Sequence, residues 1–276
     1  MTTNPLLTPQ SLTGHSDGSP LTAGERAAFS NMAAKSTMGN DLGGGPVADD
    51  RFTIGGVVQK AAIMVALLVA GGVVGWGQVA APTEFEPAQI PGWIFLGFIG
   101  GIAAIFAANK MPHLAKFIAP LYSLLYGAVV GAISHIYEIQ YEGIVLQAVV
   151  ASIGVFVSML FLYSSRIIRV TDRLRRGIMM ATMGLMVVYG FQFVMNMLNV
   201  DLEVPFLHSS GPIGILVSVA IVGLAAFNLL TDFDMIERAE RAGAPQQTEW
   251  LAAMGLVVTL VWLYMEILRL LGKTRR

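Results

Sequence analysis

Cysteine is absent from the chain, and with it go disulfides, thiolate metal sites and cysteine nucleophiles. Charge is scarce as well. Asp, Glu, Lys and Arg make up 13% of the residues, against roughly 25% in a soluble domain, too few to cover a water-facing exterior. The N-terminal stretch has neither the apolar core nor the basic start of a signal peptide. The four histidines (His15, His113, His135 and His208) lack the spacing of a zinc site and are read as tail or loop residues. No Walker, Rossmann or nucleophile-elbow pattern occurs, and Gly43-Gly44-Gly45 has no strand before it to make a phosphate loop. The expectation is therefore a protein that is not an enzyme and carries no cofactor.

What the chain does have is apolar sequence: 55% of it is hydrophobic, gathered into blocks. Seven blocks stand out, at about residues 61–79, 93–108, 117–134, 144–163, 178–198, 212–230 and 251–271. Each approaches the roughly 20 helical residues that cross a hydrocarbon core. In lipid only helices and closed barrels satisfy their backbone groups, and these blocks lack the alternation of barrel strands. The fold class predicted is an all-α, polytopic bundle of seven spans.

Lys and Arg orient the bundle. Arg51 and Lys60 precede the first block, and Lys110 and Lys116 follow the second. Arg166, Arg169, Arg173, Arg175 and Arg176 follow the fourth, and Arg238 and Arg241 the sixth. The alternate loops hold Glu84, Glu86, Glu138, Glu142, Asp201 and Glu203, with no Lys or Arg. The basic loops and the N-terminus are thus expected in the cytoplasm. The arginine-rich loop suits this topology, or contact with anionic lipid, better than nucleic acid. Residues 1–52, rich in Ser, Thr, Gly and Pro, read as a disordered cytoplasmic tail, with a weak helical face around Ala27–Ala34. Residues 53–272 form the transmembrane domain, and 273–276 a basic C-terminal tail. That basic tail conflicts with an outside C-terminus, so the last segment either crosses in full, the favoured reading, or re-enters.

Pairs of glycines four apart (Gly71/Gly75, Gly97/Gly101 and Gly127/Gly131) allow helix backbones to approach closely. They fit intramolecular packing first and a homodimer second, leaving monomer and dimer open. Ionisable groups in or beside spans point to function more often than elsewhere. Asn228 and Asp232 share a helix face at the cytoplasmic end of the sixth block, and Asp234 lies on another side. They either end the helix at the water interface, or Asp232 or Asp234 enters a cavity to bind a cation or proton. In the last block Glu266 stands three residues before Arg269, where a local ion pair is the simpler reading. At 1.5 Å per residue it lies roughly 24 Å from Trp250, far from Asp232.

Gly211-Pro-Ile-Gly-Ile-Leu-Val-Ser218, Ala225-Ala-Phe-Asn-Leu-Leu-Thr-Asp-Phe-Asp234 and Ile236-Glu-Arg238 carry a family resemblance. So do Ala242-Gly-Ala-Pro245, Glu249-Trp250 and the run from Val258 through Trp262 to Leu271, with support from Tyr126-Gly127, Gly131-Ala-Ile-Ser134 and Arg169-Val-Thr171. From about Arg51 to Gly272 the chain resembles the Bax inhibitor (YccA-like) family of transmembrane Bax-inhibitor-motif proteins, and within it a branch common in actinobacteria. The resemblance implies six spans around a central seventh and a pH-sensitive cation leak, chiefly for calcium, in the bacterial plasma membrane. It implies an aspartate pair between spans six and seven, with a basic residue on span two. Asp232 matches the first aspartate and can act as a calcium ligand. The second position is Thr259, which cannot ionise, and Glu266 lies two turns (about 10.5 Å) beyond it. Lys110 falls near the basic position as the gating counter-charge. Asp234 is then an auxiliary ligand, and Glu266 a group on the outer half of the ion path. Tyr126 stands where a glutamate is frequent. A second, non-conducting reading is a membrane regulator of stress or quality control, working through partners such as a quality-control protease.

Overall fold

A computed structural model describes residues 51–79, 92–198 and 211–275. The expected tail falls outside the described residues except for Arg51 and Phe52, and so do Glu84, Glu86, Asp201, Glu203 and His208. Phe52 is core rather than tail: it is 2% exposed, and its N–H donates to the Ala244 carbonyl at 2.8 Å.

Seven α-helices make up the described residues: α1 (Ile54–Trp76), α2 (Trp93–Lys110), α3 (Ala115–Gln140), α4 (Ile144–Ser164), α5 (Asp172–Met197), α6 (Pro212–Arg241) and α7 (Glu249–Thr274). Short 3₁₀ turns, Pro112–Leu114 and Gln246–Thr248, lead into α3 and α7. Among the described residues the one β-type contact is an isolated bridge between Arg51 and Pro245. Six of the helices are long and apolar enough to cross a membrane, while α2, at 18 residues, is the shortest.

Several helices outrun their apolar blocks. Thr53, in extended conformation, accepts the Gly56 N–H on its hydroxyl at 3.0 Å and starts α1 seven residues before Ala61, so Lys60 is helical. The third block continues to Gln140, which places His135 within α3 rather than in a loop. There its ring stacks on Trp76 at 4.5 Å. The sixth runs on through Asp232, Asp234, Glu237 and Arg238 to Arg241, so these charges lie on faces of one helix rather than in a loop.

The glycines explain the tightest contact. A Cβ on Gly75 would stand 1.8 Å from the Ala128 carbonyl oxygen, and one on Gly131 would stand 2.0 Å from that of Gly72. α1 and α3 therefore touch backbone to backbone, a contact only hydrogen side chains permit. Gly71 and Gly127 serve the same interface, and Gly97 and Gly101 of α2 seat Val129 and Tyr126 of α3. All three pairs are used within the chain.

α7 is the hub. From Glu249 to Lys273 it has no exposed residue, and it packs on α1, α3, α4 and α6. The other six helices each expose large apolar side chains, among them Val73, Leu96, Leu121, Leu146, Val187 and Leu216. In lipid that exterior is in its proper solvent. The last helix is unbroken, and its far end reaches the opposite side of the bundle from Arg238. Lys273 Nζ donates to Ser218 Oγ (2.8 Å) and the Gly214 carbonyl (3.3 Å) at the start of α6. Arg275 donates to the Glu142 carbonyl (2.9 Å) and Gln147 Oε1 (2.8 Å) at the start of α4. The helix runs the full length of the bundle, as the favoured reading of a full crossing requires, and its basic end is absorbed by acceptors there.

Candidate functional site

The charged residues of α6 face different partners because a helix turns about 100° per residue. Phe233 is buried against Phe156 and Tyr163 of α4, with ring centroids 5.7 and 5.8 Å away. Asp234 turns toward α5 and pairs with Arg175, and with Arg238 one turn on at 2.8 Å. Glu237 accepts from Tyr163 and pairs with Arg241. These contacts tie α4, α5 and α6 together at the basic end.

Asp232 is different. It is half-buried and faces α7, where its polar neighbour is the Thr259 hydroxyl, itself leaning on the Gly255 carbonyl at 3.2 Å. Its Oδ2 is fully buried with no hydrogen-bond partner. One turn back, Asn228 donates to Thr182 Oγ1 of α5 at 2.8 Å and to the Leu224 carbonyl at 2.9 Å. A carboxylate oxygen buried without a partner is costly, so binding a proton or a cation at Oδ2 would stabilise this site.

The other carboxylates expected on the path are occupied. Asp234 is held through Oδ2 by two guanidinium groups and lies about 200° around the helix from Asp232. Glu266, 1% exposed, accepts from Tyr189 (2.8 Å), Trp262 Nε1 (3.1 Å) and Arg269 (3.2 Å). Arg269 also donates to the Tyr189 hydroxyl at 2.7 Å. The local pair with Arg269 is thus present within a larger knot joining α5 to α7, a poor place for a passing ion. Lys110 is exposed at the end of α2 and forms no ion pair among the described residues, so it is not brought to Asp232.

At the basic end it is Lys60, expected from the sequence only to mark orientation, that enters the bundle. It pairs with Glu249, the first residue of α7, which is fully buried. Glu249 also accepts from the Thr53 N–H (2.8 Å) and hydroxyl (3.1 Å). The N-termini of α1 and α7 converge on this one carboxylate, where both helix dipoles favour negative charge. Gly56 leaves the room, since a Cβ there would lie 2.2 Å from Glu249 Oε2. Glu240 adds a second link, accepting the Ile54 N–H at 2.8 Å.

A helical bundle with an apolar exterior and a fully covered central helix defines a multi-pass membrane protein. Comparison with protein families is specific: the model described as Bax inhibitor 1 like matches residues 6–276. The chain belongs to the Bax inhibitor 1 like family. No curated protein and no solved structure matches it.

Proposed function

We propose that this protein is a pH-sensitive cation leak, chiefly for calcium, in a bacterial plasma membrane, and that it catalyses no covalent reaction. The observation that carries this reading is Asp232, whose buried Oδ2 has no partner while Thr259 of the central helix stands against it. Asp232 is the gate and transient ion ligand. Protonation removes its charge and its attraction for a cation, which makes passage depend on pH. A single carboxyl with one hydroxyl beside it would hold a cation only weakly, as passage requires. With Thr259 in the facing position, one carboxyl rather than a coupled pair governs opening. Calcium flux into liposomes holding the purified protein, scanned over pH, tests the proposal. Flux that varies with pH and is altered by Asp232→Asn supports it; flux indifferent to that substitution refutes it.

A second reading, a non-conducting regulator bound to a membrane partner such as a quality-control protease, draws on α5. That helix packs on α6 and exposes Met179, Met180, Met183, Val187 and Phe191 to the bilayer. Absence of flux at every pH, together with recovery of a partner lost on substituting these residues, would favour it.

A further inference from the structure

At the basic end of the bundle a cleft of about 530 Å³ opens between three elements. α1 contributes Lys60, the turn into α3 and its first residues contribute His113 and Lys116, and the turn into α7 and its first residues contribute Gln246, Gln247 and Trp250. Among the described residues no carboxylate lines it. Glu249 stands behind Lys60 and is already engaged by Thr53 and by Lys60 itself. An ammonium has three donors, so Lys60 keeps some for the cleft, where it lies 5.6 Å from the centroid of the Trp250 ring. Lys116 has no carboxylate partner among the described residues; its ammonium rests 5.1 Å from the centroid of Phe117.

A second observation comes from the helix that carries Lys116. The first turn of α3 has neither an acidic residue nor a side-chain cap, and Lys116 sits within it. A cation at a helix N-terminus opposes the dipole, so this turn is left with an unpaired ammonium and no acidic group to offset the dipole, although its first N–H, that of Ala115, donates to the Pro112 carbonyl. One anion in the cleft answers both deficits and gives the two carboxamides an acceptor as well. The exposed Met111, Leu114 and Phe117 flank the same turn and set it at the edge of the lipid.

We propose that this cleft binds a phosphate-bearing anion on the cytoplasmic side, through Lys60, Lys116, His113 and the Gln246 and Gln247 amides, with Trp250 as its apolar wall. The group is either an anionic lipid headgroup reaching in from the bilayer or a soluble phosphate compound.

The test uses the full chain in phosphatidylcholine nanodiscs, titrated with inorganic pyrophosphate in a calorimeter. Saturable binding is expected, weakened about tenfold or more when Lys116→Ala and His113→Ala are combined, since charge-assisted contacts are lost. Both side chains are exposed, so the double variant should keep the ligand-free melting temperature of the parent. Discs that also contain phosphatidylglycerol separate the two sources. A headgroup occupant suppresses the pyrophosphate heat there and leaves phosphatidylglycerol bound to the parent, but not to the double variant, after mild detergent extraction. A soluble occupant leaves the pyrophosphate affinity alike in both discs once ionic strength is raised to screen the surface. Absence of saturable binding in the neutral discs overturns the proposal, as does binding that the double variant retains.

Discussion

Replacing Glu249 by Ala removes the acceptor on which the starts of α1 and α7 converge. The carboxylate is fully buried, Lys60 is largely so, and the Thr53 N–H and hydroxyl lose their partner together with the Lys60 ammonium. Breaking a buried pair from one side costs about 3–5 kcal/mol, mostly because the other charge is left uncompensated. Lys60 retains some exposure, which places the expected loss toward the lower end, about 3 kcal/mol. Replacing both residues together, Lys60→Met with Glu249→Met, removes the stranded charge and should recover much of the loss. The assay is equilibrium unfolding in mixed detergent micelles followed by circular dichroism, with the two single variants and the double closing a cycle. A loss below about 1 kcal/mol for Glu249→Ala, or a double variant no more stable than the worse single, would refute the reasoning.

Gly75→Val forces α1 away from the Ala128 carbonyl of α3 and should cost about 1–3 kcal/mol as an overpacked contact, read in the same unfolding assay. Gly154→Val, on open space in α4, is the matched control and should cost far less. Tyr189→Phe removes one donor from Glu266 and should cost about 1–3 kcal/mol, whereas Glu266→Ala strands Arg269 and should cost more; an equal loss would deny the knot its charge. Reporter fusions should place the Arg238 segment in the cytoplasm and the C-terminus outside, and a cytoplasmic C-terminus would contradict the full crossing of α7.

Seven apolar blocks were enough to read the spans, because lipid demands runs of that length and little else produces them. Their ends were not legible from hydropathy. Lys60 and the stretch from Asp232 to Arg241 are polar yet helical, since a helix that leaves the bilayer goes on making its own hydrogen bonds. The glycine pairs announced close packing, but only the fold shows that all three serve α3. Asp232 and Asp234 were separable in sequence by helical rotation, and the structure places them on different neighbours. The Lys60–Glu249 and Tyr189–Glu266 contacts join residues 189 and 77 positions apart, beyond the reach of any local pattern. Lys110 was the opposite case: a charge at the right end of the right span, turned to solvent by the helix that carries it.

The proposed leak turns on Asp232. Its most direct test is calcium flux into liposomes with the parent protein and Asp232→Asn reconstituted side by side across a pH series. Flux in the parent should change with external or internal pH, and flux in the variant should have lost this dependence. Identical pH profiles for the two proteins would contradict it.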